Sequence, residues 1–131
     1  MIRRLPLVIA LLAGLLLVGV VGGWLYASYT TSPRSWPVEQ FSASAWKSSS
    51  PEERYIFYRD LARSGRLDGA TRQEEVNLLG PPSFEASEGS YMTYMVKHAE
   101  PGEWSLDSIY LLDIRFDSNT FKVREYLIRG D

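Results

Sequence analysis

From Leu5 to Ala27 the chain runs 23 residues without one charged side chain, and no other feature constrains the molecule as much. A helix rises about 1.5 Å per residue, so roughly 20 residues cross a hydrocarbon core of about 30 Å. Residues 5–27 are therefore expected to form a transmembrane helix whose partner is membrane lipid. A cleavable signal peptide has an apolar stretch of about 7–15 residues that ends in small side chains. Here Trp24, Leu25 and Tyr26 stand where a peptidase needs small residues, which predicts an uncleaved signal anchor.

Arg3 and Arg4 make residues 1–4 a basic cytoplasmic stub, while the segment beyond the span offers only Arg34 and Lys47. That asymmetry predicts a single-pass protein of the cell inner (cytoplasmic) membrane, with its C-terminal part periplasmic or extracellular. Trp24, Tyr26 and Tyr29 suit the far interface, where amphipathic rings sit at headgroup depth. Gly19 and Gly23 are four residues apart, with Gly14 and Gly22 nearby. Such a pair would let two spans pack closely as a weak homodimer; plain glycine enrichment of membrane helices is the alternative.

Composition removes several classes of function. With no cysteine there is no disulfide scaffold, thiolate metal site, cysteine nucleophile or acyl anchor on an N-terminal cysteine. Removing Arg3 and Arg4 from the 14 basic residues leaves 12 against 16 acidic, a net charge of −4 for the exported part. That balance argues against nucleic acid, which needs clustered Lys and Arg.

Residues 28–49 contain Ser32-Pro33, Trp36-Pro37 and the start of the run Ser48-Ser49-Ser50, and read as an extended stalk. Phe41 and Trp46 are exceptions in it, suited to docking on the domain or to lying on the lipid surface, docking being the commoner outcome for isolated aromatics. The domain itself is placed at 50–131. Ser50, Pro51 and Glu53 have the spacing of a helix start with a capping box, and Tyr55, Tyr58, Leu61 and Ala62 recur at helical spacing up to Gly65. Thr71 and Glu74 form a second capping box, with Val76 and Leu79 apolar and Gly80-Pro81-Pro82 as the stop. Arg72, Glu74 and Glu75 read as surface charges.

Tyr91 to Lys97 reads as a strand, and 109–116 with 121–129 as a hairpin. Closing it through Asp117-Ser118-Asn119-Thr120 would pair Phe116 with Phe121, Ile114 with Val123 and Asp113 with Arg124. One face would then carry Tyr110, Leu112, Ile114, Phe116, Phe121, Val123 and Leu127. The expected fold class is α+β: the N-terminal transmembrane helix, then two short helices packed on a three-stranded antiparallel sheet.

The stretch from Leu67 to Pro82, Leu-Asp-Gly-Ala-Thr-Arg-Gln-Glu-Glu-Val-Asn-Leu-Leu-Gly-Pro-Pro, resembles the SmpA/OmlA (BamE-like) family. There a Gly-x-Thr segment leads into a Glu-Val-x-x-Leu-Leu-Gly-x-Pro helix, an aromatic strand (here Tyr91 to Tyr94) and a hairpin (here Leu111 to Val123). The resemblance covers roughly residues 54–128. It implies a small two-helix, three-stranded domain outside the cytoplasm that binds other proteins and catalyses nothing. The best-known members serve the machinery that inserts outer-membrane β-barrels and are tethered through a cysteine; this chain has an apolar span and no cysteine. A related two-helix, four-stranded repeat inhibits β-lactamases, which keeps open an inhibitor-type or sensory domain that binds an enzyme or cell-wall component.

Chemistry-bearing patterns are few. His98, the one histidine, lies beside Glu100 and Glu103 but has no nucleophile context and reads as a loop residue. Asp117-Ser118-Asn119 begins like a calcium loop, yet its sixth and twelfth positions are Lys122 and Ile128, not Gly and Glu. No cofactor is implied. Tyr91, Met92, Tyr94, Met95 and Trp104 are the candidate partner-binding residues, because Tyr, Trp and Met are enriched where proteins meet. The pleat sends Tyr91, Thr93 and Met95 to one face and Met92, Tyr94 and Val96 to the other. Only one of these sets can lie under the helices; the other either meets a partner or is covered by the loop from Ala99 to Ser108, through Trp104.

Overall fold

A computed structural model describes residues 5–30, 32–99 and 109–130. The chain divides into two compact units, Met1–Ser35 and Trp36–Asp131. The first is built on α1 (Leu5–Thr30) and ends in a 3₁₀ turn, Pro33–Ser35. Within α1, Pro6–Tyr26 is long and apolar enough to cross a membrane, and none of its surface is buried. A Cβ added at Gly14, Gly19, Gly22 or Gly23 would meet nothing within 4 Å. The stub residues Arg3 and Arg4 and the side chain of Tyr29 lie outside the described residues.

The second unit is α+β. It holds α2 (Ala43–Ser48), α3 (Tyr55–Ser64) and α4 (Arg72–Leu79), with β1 (Phe84–Glu85), β2 (Tyr91–His98), β3 (Ile109–Phe116) and β4 (Val123–Gly130). The sheet therefore has four strands, not the expected three, in the order β1-β2-β3-β4, every pair antiparallel. The added strand is two residues long, too short for any alternation to mark it in the sequence. Counting α1, four α-helices occur among the described residues, one more than the anchor and two helices expected.

That further helix changes how residues 28–49 are understood. Trp36, Phe41 and Trp46 are all buried members of the core, so the folded unit begins at Trp36 and takes in most of the expected stalk. Trp36 meets Tyr55, Tyr58 and Tyr110 edge-on at 5.5, 6.3 and 5.3 Å. The Trp46 indole N–H donates to the Leu79 carbonyl (3.1 Å), tying α2 to the end of α4. Ser42 caps α2 by accepting from the Ala45 amide. A serine-rich sequence is pinned by three aromatics, and that packing outweighs its weak helical preference.

The Ser50–Glu53 segment forms a 3₁₀ turn, with no side-chain cap, instead of opening the helix; α3 starts at Tyr55. Gly65 takes the left-handed position after α3 (φ 68°). The second capping box is present in full: Thr71 Oγ1 accepts from the Glu74 amide, and Glu74 Oε2 from the Thr71 amide.

The β3–β4 register also differs from the expected one. Phe116 faces Val123, Ile114 faces Tyr126, Arg115 faces Glu125 and Asp113 faces Leu127. Asp117 Oδ1 accepts from the Asn119 and Thr120 amides and from the Thr120 hydroxyl, and the Phe121 amide returns to the Asp117 carbonyl. This longer turn leaves Phe121 left-handed (φ 55°) and 70% exposed, so it neither pairs with Phe116 nor joins the core face. A bulge beside Arg115 and Phe116 then shifts every later pair.

Candidate functional site

The sheet has two unlike faces. Met92, Tyr94, Val96, Tyr110, Leu112, Ile114, Phe116 and Val123 turn inward and pack with Leu61, Leu67 and Leu79 from the helical side. Met92 and Tyr94 are thus fully buried, and a partner cannot reach them in this fold. Trp104 lies outside the described residues. Of the five candidates, Tyr91 and Met95 remain on the opposite, outer face, each half-buried.

The register fixes their neighbours. Tyr91 lies opposite Arg115, Thr93 opposite Asp113 and Met95 opposite Leu111, while Phe84 sits across from Thr93. Farther along, Asp113 faces Leu127 and Leu111 faces Arg129. Phe84 is 56% exposed, and its ring lies tilted, 5.9 Å from that of Tyr91. None of these outer apolar side chains belongs to the core cluster.

A polar line runs through the middle of this apolar surface. The Thr93 hydroxyl donates to Asp113 Oδ1 (2.8 Å), and Arg129 Nε donates to Asp113 Oδ2 (2.9 Å). Asp113 and Thr93 are buried between flanking side chains, while Arg129 reaches water. The expected Asp113–Arg124 pair is replaced by Asp113–Arg129, because the longer turn and the bulge together set Leu127 opposite Asp113. Arg115 and Glu125 pair at 3.0 Å nearby. A satisfied charge network inside an apolar rim holds the strands in one arrangement while leaving the rim to make contacts.

A second site was not legible as one. Glu75, expected on the surface, is fully buried, and neither carboxylate oxygen has a hydrogen-bond partner among the described residues. Glu74 turns back to the cap, so the next residue points about 100° further round, onto the Leu79 face. The i, i+4 relation of Glu75 to Leu79 was the available signal. Its neighbour Tyr94 donates its hydroxyl to the Gly80 carbonyl (2.9 Å). Burial pushes the Glu75 carboxyl up to about 7, opposed by the Tyr94 hydroxyl and the positive charge of Arg72. Burial, then the Glu75 charge, raises Tyr94 as well. An acid near neutrality suits proton transfer, but a substrate must touch it, and none of Glu75 is exposed.

His98 is exposed at the end of β2, opposite Ile109. Glu100 and Glu103 lie outside the described residues. Among the described residues, no three His, Asp or Glu side chains gather as a metal site. No family model, curated protein or solved structure matches the chain.

Proposed function

We propose that this is a membrane-anchored envelope protein whose exported α+β domain binds another protein through the outer face of its sheet and carries out no catalysis. The observation that carries the reading is the aromatic pair Phe84–Tyr91, continued by Met95, Leu111 and Leu127 on the face away from the helices. Apolar ground around a fixed polar line, with aromatic and methionine side chains on it, is what protein interfaces use. The likeness of residues 54–128 to SmpA/OmlA domains agrees with a binding role in envelope assembly.

Location follows from α1. Its uncharged length supports a permanent anchor in the cytoplasmic membrane, and the arginines before it support an exported domain. Nine residues, 27–35, separate the apolar stretch from Trp36, the first residue of the folded unit.

The test is photo-crosslinking in intact cells from Tyr91, Met95 and Leu111, with buried Tyr94 as the control position. A defined envelope protein captured from the outer-face positions and not from Tyr94 is the expected result. Equal labelling from all four, or none from any, would remove the outer face as the binding surface. If the captured protein is an exported enzyme whose activity falls on binding, the domain is an inhibitor.

A further inference from the structure

Among the described residues, the sheet ends on one side in a strand whose outer edge is nearly its own complement. β1 covers only part of β2, and β2 is bulged between Met95 and Lys97. β4 is different: eight residues, last in the sheet order. Its N-terminal end is already occupied, since the Val123 amide donates to the Ala70 carbonyl (2.8 Å) and Lys122 bridges Thr71. Beyond that closure, the outer edge of residues 125–129 pairs with no strand among the described residues.

We infer that β4 pairs antiparallel with β4 of a second copy about a two-fold axis at Leu127, joining two four-stranded sheets into one. Leu127 is the midpoint of the open stretch. In that register Glu125 lies opposite Arg129 of the other copy, and Arg129 opposite its Glu125, while Tyr126 faces Ile128. Directly opposed residues share a face, so both ion pairs form on the outer face. Within one chain Arg115 already holds Glu125 at 3.0 Å and Asp113 holds Arg129 at 2.9 Å. Pairing would string these into an alternating row: Arg115, Glu125, then Arg129 and Asp113 of the second copy. Moving the axis to Tyr126 sets Glu125 opposite Leu127, and moving it to Ile128 sets Arg129 opposite Leu127, so either shift loses both ion pairs. An edge that carries both signs is ordinarily guarded against indiscriminate pairing; this one is guarded against everything except itself. The inference does not depend on what binds the outer face.

The chain has no cysteine, so one introduced thiol has no intrachain partner and a disulfide to it must come from another chain. Leu127→Cys in the full chain, oxidised in the membranes of expressing cells, is expected to give a disulfide-linked dimer, because opposed Cβ atoms lie about 4.5–5.5 Å apart. Adding Glu125→Arg alone, or Arg129→Glu alone, sets like charges across both pairs and should lower dimer yield about tenfold. Coexpressing the two altered chains should restore it. In the mixed dimer the introduced arginine of one copy meets the introduced glutamate of the other, and native Arg129 meets native Glu125. Each altered chain keeps its own broken intrachain pair in that mixture, with Arg115 in one and with Asp113 in the other, so recovery cannot come from repaired folding. A monomeric Leu127→Cys protein would overturn the inference. So would crosslinking indifferent to charge, or a thiol captured by a different protein.

Discussion

At Glu75 the local rules and the packed structure disagree, and the disagreement has a measurable consequence. A carboxyl with an ordinary value of 4.5, raised to about 7 in the fold, means that the native state holds a proton the unfolded chain has released. Stability is therefore greatest below about pH 4.5 for this group and falls as pH rises through 7. The difference of about 2.5 units corresponds to on the order of 3 kcal/mol. Asp117 and Glu88 are lowered, by hydrogen bonds to the Thr120 and Asn119 amides and to Ser90 respectively, and act in the opposite sense only at more acidic pH. Urea midpoints of the full chain in detergent at pH 5 and pH 8.5 should show the wild type weaker at the higher pH. Glu75→Gln should remove most of that slope and be the more stable protein at pH 8.5. An unchanged slope would mean that Glu75 is ionised in the fold. Gly80 offers a second residue-scale prediction. Its φ of +79° is open to glycine, and its carbonyl receives the Tyr94 hydroxyl. Gly80→Val should cost about 1–3 kcal/mol through backbone strain, with Gly80→Ala losing less in the same assay.

At the scale of elements, what was legible was what short-range chemistry decides. The Thr71–Glu74 box placed α4, and Gly65 and Gly80 mark the ends of α3 and α4. Alternation along 91–96 divided the strand into the two faces that the structure has. What was illegible depends on distant partners. β1 exists because Phe84 and Glu85 pair with Thr93 and Met92. The β4 register depends on a turn built around one aspartate side chain and on a bulge that moves Arg124. On the candidate surface, Tyr91 and Met95 could be proposed from composition, but Phe84, Leu111 and Leu127 join them only through strand order. Element α2 is the clearest case, because long-range contacts such as those of Trp46 with Tyr94 and Leu79 distinguish it from a stalk. Trp46→Ala should therefore destabilise the domain by about 3–5 kcal/mol, as for other fully buried tryptophans. A stalk residue would cost nearly nothing, and the urea midpoint separates the two.

For the whole molecule, the proposed anchor and its proposed orientation rest on two separate features, and each has its own test. Retention depends on apolar length: Pro6–Tyr26 exceeds what a bilayer core needs, and bulky side chains at 24–26 do not suit a peptidase. An epitope placed ahead of Arg3 should therefore stay on the same polypeptide as the domain and remain with membranes through alkaline extraction. A domain found in a soluble exported fraction without that epitope would show cleavage near Ala27. Orientation depends instead on the positive charge ahead of the helix. In a chain without cysteine, Ser118→Cys at the exposed turn gives a single thiol on the domain. A membrane-impermeant maleimide should label it in intact spheroplasts as fully as after lysis. Labelling only after lysis would invert the protein, with the domain in the cytoplasm and the stub outside. Replacing Arg3 and Arg4 with glutamate, with two lysines added between Ser28 and Ser32, should produce that inverted pattern, because basic side chains stay on the cytoplasmic side of a span.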